Sequence, residues 1–140
     1  MKYRILVVDD EESIRVLYAQ LLQRQGYEVD TAEDGFDALL KLKQMPPDVI
    51  ISDLNMPKMS GFEFLSVVRR RFPKISVIAT SGAYGSKVVP TGLLADGFYA
   101  KGDEHPGTLV NRVAALIETS AARANTDQDQ SGPAFDREAF

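Results

Sequence analysis

The sequence predicts an α/β fold, a (βα)5 chain whose five parallel strands form one open sheet with helices on both faces. Short apolar runs recur along the chain, separated by stretches of helical periodicity. The central runs are continuously apolar, as in strands covered on both faces, rather than alternating. Polar and charged residues gather just after the runs, on the edge of a parallel sheet where ligands bind. Right-handed crossovers then distribute the helices over both faces.

The first strand is "RILVV" (4–8), and "ESIRVLYAQLLQRQG" follows it. Ile14, Leu17, Tyr18, Leu21 and Leu22 fall on one helical stripe, and Gly26 stands where a C-cap belongs. "YEVDTA" (27–32) is a more polar strand, suited to a sheet edge, and "DGFDALLKLKQ" (34–44) a short helix stopped by Pro46 and Pro47. "DVIIS" (48–52) is the third and most apolar strand. Ser60 and Glu63 have the spacing of a capping box and open a helix that ends before Pro73. "ISVIAT" (75–80) and "GFYA" (97–100) are strands four and five. Between them "SKVVPTGLLADG" (86–97) holds Pro90 and Gly92, which predict a short, bent or irregular fourth helix. The last helix, about 104–122, carries Leu109, Val110, Val113, Leu116 and Ile117 on one face. From Arg123 the apolar periodicity stops, and the reading is a domain over 1–122 with a flexible polar tail over 123–140.

Composition is that of an ordinary globular domain: 140 residues, 44% hydrophobic and 26% charged. The formal net charge of −4 argues against nucleic-acid or anionic-membrane partners. The absence of cysteine excludes disulfides and thiolate metal sites. The N-terminal apolar run is too short for a signal peptide or a membrane span, so the expected setting is the cytoplasm.

The chemistry lies in what converges past the strand ends. After strand one come Asp9, Asp10, Glu11 and Glu12; after strand three, Asp53; after strand four, Ser81 and Gly82; after strand five, Lys101. Crowded carboxylates raise one another's pKa, and a divalent cation removes that conflict. An all-oxygen donor set suits Mg²⁺ or Mn²⁺ rather than Zn²⁺. A hydroxyl at Ser81 and an ammonium at Lys101 suit a phosphoryl group, with Asp53 as the nucleophile that forms an aspartyl phosphate. Taken singly, strand-end Asp and Ser residues are often helix caps, but caps do not require a strand-end lysine. Glu11 and Glu12 read as first-turn acids favoured by the helix dipole. His105, the one histidine, sits at a helix start and has no role in this chemistry.

"LVVDDEE", "SDLNMPKMSG", "ATSGA" and "FYAKG" together resemble the receiver domain of two-component response regulators, over about residues 3–120. The resemblance implies a flavodoxin-like sheet of order 2-1-3-4-5. It implies that Asp53 is the phosphoacceptor, Asp10 a direct Mg²⁺ ligand, Asp9 an acid acting mainly through water, and Asn55 a main-chain carbonyl ligand. Ser81 matches the hydroxyl that moves toward the phosphoryl group and Lys101 the phosphoryl's ion-pair partner. Phe98 falls at the position of a rotameric aromatic switch, though core packing explains an aromatic there equally well. Gly102 stands where the family usually has proline after a cis bond; a non-proline cis bond costs about 2.5–4 kcal/mol, so a trans bond is expected.

The implied function is a stand-alone signalling domain rather than an enzyme. It is phosphorylated by a histidine kinase or histidine phosphotransfer protein and read by a downstream protein target, as a monomer or weak dimer. Three other classes are weighed against it. A haloacid-dehalogenase-type phosphohydrolase needs a second Asp where Asn55 stands. A flavodoxin-like electron carrier would find its flavin phosphate repelled by "DDEE". A receiver-like module that binds partners without phosphorylation would not need the intact acidic site.

Overall fold

A computed structural model describes residues 2–82 and 94–130, with side chains through residue 122. The elements in chain order are β1 (Arg4–Val8), α1 (Glu12–Gln23), β2 (Glu28–Ala32), α2 (Gly35–Gln44), β3 (Val49–Asp53), α3 (Gly61–Arg71), β4 (Ser76–Ser81), β5 (Gly97–Ala100) and α4 (Pro106–Gln130). All strand pairs are parallel and the sheet order is β2-β1-β3-β4-β5. The fold class and the strand order implied by the resemblance are both found. The irregular fourth helix expected over 86–97 falls largely on residues 83–93, outside the described residues.

Strand alternation divides the interior in two. Leu6, Val8, Ile50, Val77 and Ala79 face α2 and α3, joining Leu42, Phe64, Leu65 and Val68. Ile5, Val7, Val49, Ile51, Ile78 and Tyr99 face α1 and α4, joining Tyr18, Leu22, Leu109 and Val113. The continuous apolar run of β3 is explained by this sandwich: all five of its residues are buried. Each fully buried isoleucine there is worth about 1.5–3 kcal/mol. β2, on the outer edge, keeps Glu28 and Asp30 exposed.

Local chemistry sets the helix ends. The Ser60 side chain accepts from Glu63 N, and the Glu63 side chain accepts from Ser60 N, the reciprocal box read from the sequence. Asp34 caps α2 by accepting from Asp37 N at 2.8 Å. At the end of α1, Tyr27 N–H reaches back to the Leu22 carbonyl and Gly26 N–H to that of Gln23.

Two strand ends and one helix differ from expectation. Asp53 and Ser81 close β3 and β4 rather than following them, because Asp53 is in register with Thr80 and Ser81 with Ala100. The last helix begins at Pro106 and continues to Gln130, beyond the expected end near 122. The added stretch, "RANTDQDQ" (123–130), holds a single alanine and no apolar stripe, so the sequence pattern does not account for it. Residues 131–140, including Phe135 and Phe140, lie outside the described residues.

The turn from β3 to α3 leaves no room above Asp53. A Cβ on Gly61 would lie 2.3 Å from the Asp53 carbonyl oxygen and 2.5 Å from Leu54 Cα, both main-chain atoms that cannot swing aside. Gly61→Ala is therefore expected to lower unfolding free energy by about 1–3 kcal/mol. Urea denaturation measures this, and an unchanged midpoint would contradict so close an approach.

Candidate functional site

The sheet register carries β1, β3, β4 and β5 to a common edge. Asp9, just past β1, is 1% exposed, and Asp53, at the end of β3, is 3% exposed. Asp10 beside them is exposed, and the three side chains each offer an oxygen within 4.8 Å of the others. Lys101, just past β5, extends its ammonium between the two buried acids, 2.7 Å from Asp9 Oδ2 and 3.3 Å from Asp53 Oδ2. Asp9 is held from its other side, since Glu11 N donates to its Oδ1 at 2.9 Å. Arg15 donates to the Asp9 carbonyl at 2.6 Å.

Burial dominates the electrostatics of Asp53 and pushes its carboxyl up to about 6. Asn55 N, donating to Asp53 Oδ1 at 3.1 Å, and the Lys101 ammonium pull the other way, while Asp9 adds to the rise. Burial alone would lower Lys101, but its bond to Asp9 and the charges of Asp9 and Asp53 outweigh that and hold it above its usual value.

Ser81 is fully buried at the end of β4, and Asn55 Nδ2 donates to its Oγ at 2.9 Å. The neighbouring hydroxyl, Thr80, is also buried and lies in register with Asp53, and its Oγ1 has no hydrogen-bond partner among the described residues. Phe98 is half-buried and packs against the core on the α2 and α3 side of the sheet. His105 is exposed and accepts from Gly107 N at 2.9 Å, so it serves the start of α4 and stands apart from the acidic group.

The Lys101–Gly102 peptide is trans, as expected for a non-proline residue. Gly102 has φ +82, a left-handed conformation that a residue with a Cβ adopts at a cost, so glycine here lets the chain turn sharply away after Lys101. The trans bond does not keep Lys101 from the two acids.

Asp9, Asp10, Asp53, Asn55, Ser81 and Lys101 are thus brought together, while Phe98 lies on the strand that leads to Lys101. Sequence reasoning missed the Asn55 side chain as a partner of Ser81. It also missed Arg15 on the Asp9 carbonyl, and Glu104 and Arg112, which bond to β5; no spacing in the sequence marks these contacts. The donor set is all hard oxygen and anionic, with one ammonium against three carboxylates, so it fits a small divalent cation at Asp9, Asp10 and Asp53. A buried carboxylate at about 6 beside a cation-binding group and an ammonium is suited to receiving an electrophilic phosphoryl group.

Residues 5–101 match the family model of the response regulator receiver domain. Over 131 residues the chain is 37% identical to the alkaline phosphatase synthesis transcriptional regulatory protein PhoP of Bacillus subtilis, covering 91% of this chain and 54% of that protein. Among solved structures, the chemotaxis response regulator CheY4 of Vibrio cholerae superposes with TM-score 0.73 at 35% identity, over 83% of this chain and 99% of that one. The response regulator TrrA of Thermotoga maritima, solved in complex with Mg(2+)-BeF, superposes with TM-score 0.74 at 37% identity, over 83% and 99% of the two chains. The chain spans about half or less of the length of the curated relatives it matches. Among the described residues, no helix is long and apolar enough to cross a membrane.

The raised Asp53 carboxyl has a pH signature. The folded state binds its proton more tightly than the unfolded chain does, so the ionised group costs stability above about pH 6, and that cost disappears as the pH falls from about 6 to about 4. Asp53→Asn is expected to stabilise the metal-free protein by about 3 kcal/mol at about pH 7.5. The two proteins should converge near pH 4, and thermal unfolding across the range measures the gap; a gap independent of pH would contradict the assignment.

Proposed function

The chain belongs to the response regulator receiver family, and on that premise we propose that Asp53 accepts a phosphoryl group from a phosphohistidine donor. The observation that carries the reading is the convergence of Asp53, Asp9, Asp10 and the Lys101 ammonium on one sheet edge. The donor is a histidine kinase or histidine phosphotransfer protein, and the phosphorylated state is read by a downstream protein. The signalling unit comprises residues 1–122, in the cytoplasm, as a monomer or weak dimer.

In this reading an ionised Asp53 oxygen attacks phosphorus in line. The new O–P bond forms as the P–N bond to the donor imidazole breaks, and the imidazole leaves with the electron pair. With its carboxyl at about 6, Asp53 is mostly ionised at neutral pH and keeps the basicity of a weakly acidic group. Lys101 is near enough to Asp53 to pair with a phosphoryl oxygen on it, and its raised pKa keeps it charged. Ser81 supplies a hydroxyl donor, and Asn55 orients both that hydroxyl and the Asp53 carboxylate. Asp9, Asp10, Asp53 and the Asn55 main-chain carbonyl would hold Mg²⁺, which when bound neutralises charge on the phosphoryl oxygens. Phe98, on β5, is the candidate through which the strand responds to a change at Lys101.

A small acyl-phosphate donor tests this without a cognate kinase. Mass spectrometry should find one phosphoryl group on Asp53 in the presence of Mg²⁺, none after chelation, and none in Asp53→Ala. Labelling that survives Asp53→Ala would refute the assignment.

A further inference from the structure

Lys101 meets both Asp9 and Asp53, and its position depends on the strand that delivers it. Among the described strands β5 pairs with β4 alone, so its other edge needs partners from elsewhere. Glu104 and Arg112 supply them. The Glu104 carboxylate accepts from Ala100 N at 2.8 Å through Oε2. Arg112 donates to the Phe98 carbonyl. The two side chains are joined to each other, with Arg112 Nη2 2.6 Å from Glu104 Oε1 and Arg112 Nη1 3.0 Å from Oε2. The pair thus presents one acceptor and one donor to β5, as a neighbouring strand would.

The main chain of Glu104 adds two more ties. Its N–H donates to the Ala100 carbonyl at 3.2 Å, and its own carbonyl accepts from Tyr99 Oη at 2.8 Å. All three residues before Lys101 are therefore bonded to this pair, and Ala100 is gripped at both its N–H and its C=O. The sharp turn at Gly102 is what brings Glu104 back alongside the strand.

We infer that Glu104 and Arg112 are positioning residues for Lys101, clamping the main chain of Phe98 and Ala100 and the side chain of Tyr99 so that the ammonium is held between Asp9 and Asp53. The inference rests on the proposed phosphoacceptor role only for its kinetic readout. The Arg112 guanidinium holds the Glu104 carboxyl below the usual carboxylate range, so the clamp stays ionised at neutral pH. Plain edge protection of β5 is the competing explanation, and it predicts no link to Lys101.

A double-mutant cycle separates the two. Glu104→Ala is expected to slow phosphorylation of Asp53 by a small acyl-phosphate donor by roughly ten- to a hundredfold. In a Lys101→Ala background the same substitution should cost nothing further, and Arg112→Lys should recover most of the rate lost in Arg112→Ala. An equal loss with and without Lys101, or no loss in a folded Glu104→Ala protein, overturns the inference. Should Glu104→Ala not fold, the Arg112→Lys and Arg112→Ala comparison in the two backgrounds decides. The Lys101 Nζ NMR resonance gives a readout free of phosphorylation: it should shift in Glu104→Ala, and an unmoved resonance counts against the clamp. A wild-type protein that takes no label would refute the phosphoacceptor reading, while this resonance still tests the clamp.

Discussion

The architecture turns on a single ammonium placed between two carboxylates that have almost no access to water. An isolated buried carboxylate costs several kcal/mol, and two of them close together would repel each other as well. Lys101, at 2.7 and 3.3 Å from Asp9 and Asp53, removes most of that conflict but not all of it. What remains is visible in Asp53, whose carboxyl stays near 6 despite the cation and the Asn55 amide. One positive charge for two buried acids, with Asp10 exposed alongside, is an arrangement under residual tension. A divalent cation held by Asp9, Asp10 and Asp53 would relieve it, and a structural ion pair has no need to leave it in place.

Strand parity decides which groups can meet there. Asp9, Asp53 and Lys101 follow Val7, Ile51 and Tyr99 by two residues, so they inherit the side of the sheet covered by α1 and α4. Ser81 and Phe98 have the opposite parity and belong with Ala79 on the side of α2 and α3. The acidic site therefore lies across the rim of the sheet, with charge on one side and a hydroxyl and an aromatic ring on the other. The strand β5, which leads to Lys101, alternates between the two cores, with Phe98 in one and Tyr99 in the other.

Much of this was legible in the residues. β1 and β5 have the limits expected from their apolar runs, and the Ser60–Glu63 box is formed as its spacing foretold. The acidic group was readable because a parallel sheet puts every strand's carboxyl end on one edge, so Asp9, Asp53, Ser81 and Lys101 could be placed together without coordinates. Limits set by pairing rather than polarity were harder to read: Asp53 and Ser81 are polar yet lie in register with Thr80 and Ala100. Helix beyond residue 122 was hidden because periodicity reports a buried face, and "RANTDQDQ" (123–130) has no apolar stripe to report. Contacts such as Glu104 with Ala100, or Asn55 with Ser81, depend on how a turn returns, and neither leaves a mark in composition or spacing.

The bond from Asn55 Nδ2 to Ser81 Oγ has a consequence for energetics. Ser81 is fully buried, so its hydroxyl does not exchange this partner for water. Any move of the hydroxyl toward a new acceptor must leave the Asn55 amide to find another one, and a phosphoryl group brings oxygens enough for both. The bond given up is a neutral one, worth about 1 kcal/mol net. A single neutral bond of this size is a light restraint, so the Asn55 amide holds the Ser81 hydroxyl as a latch with a light spring rather than a lock.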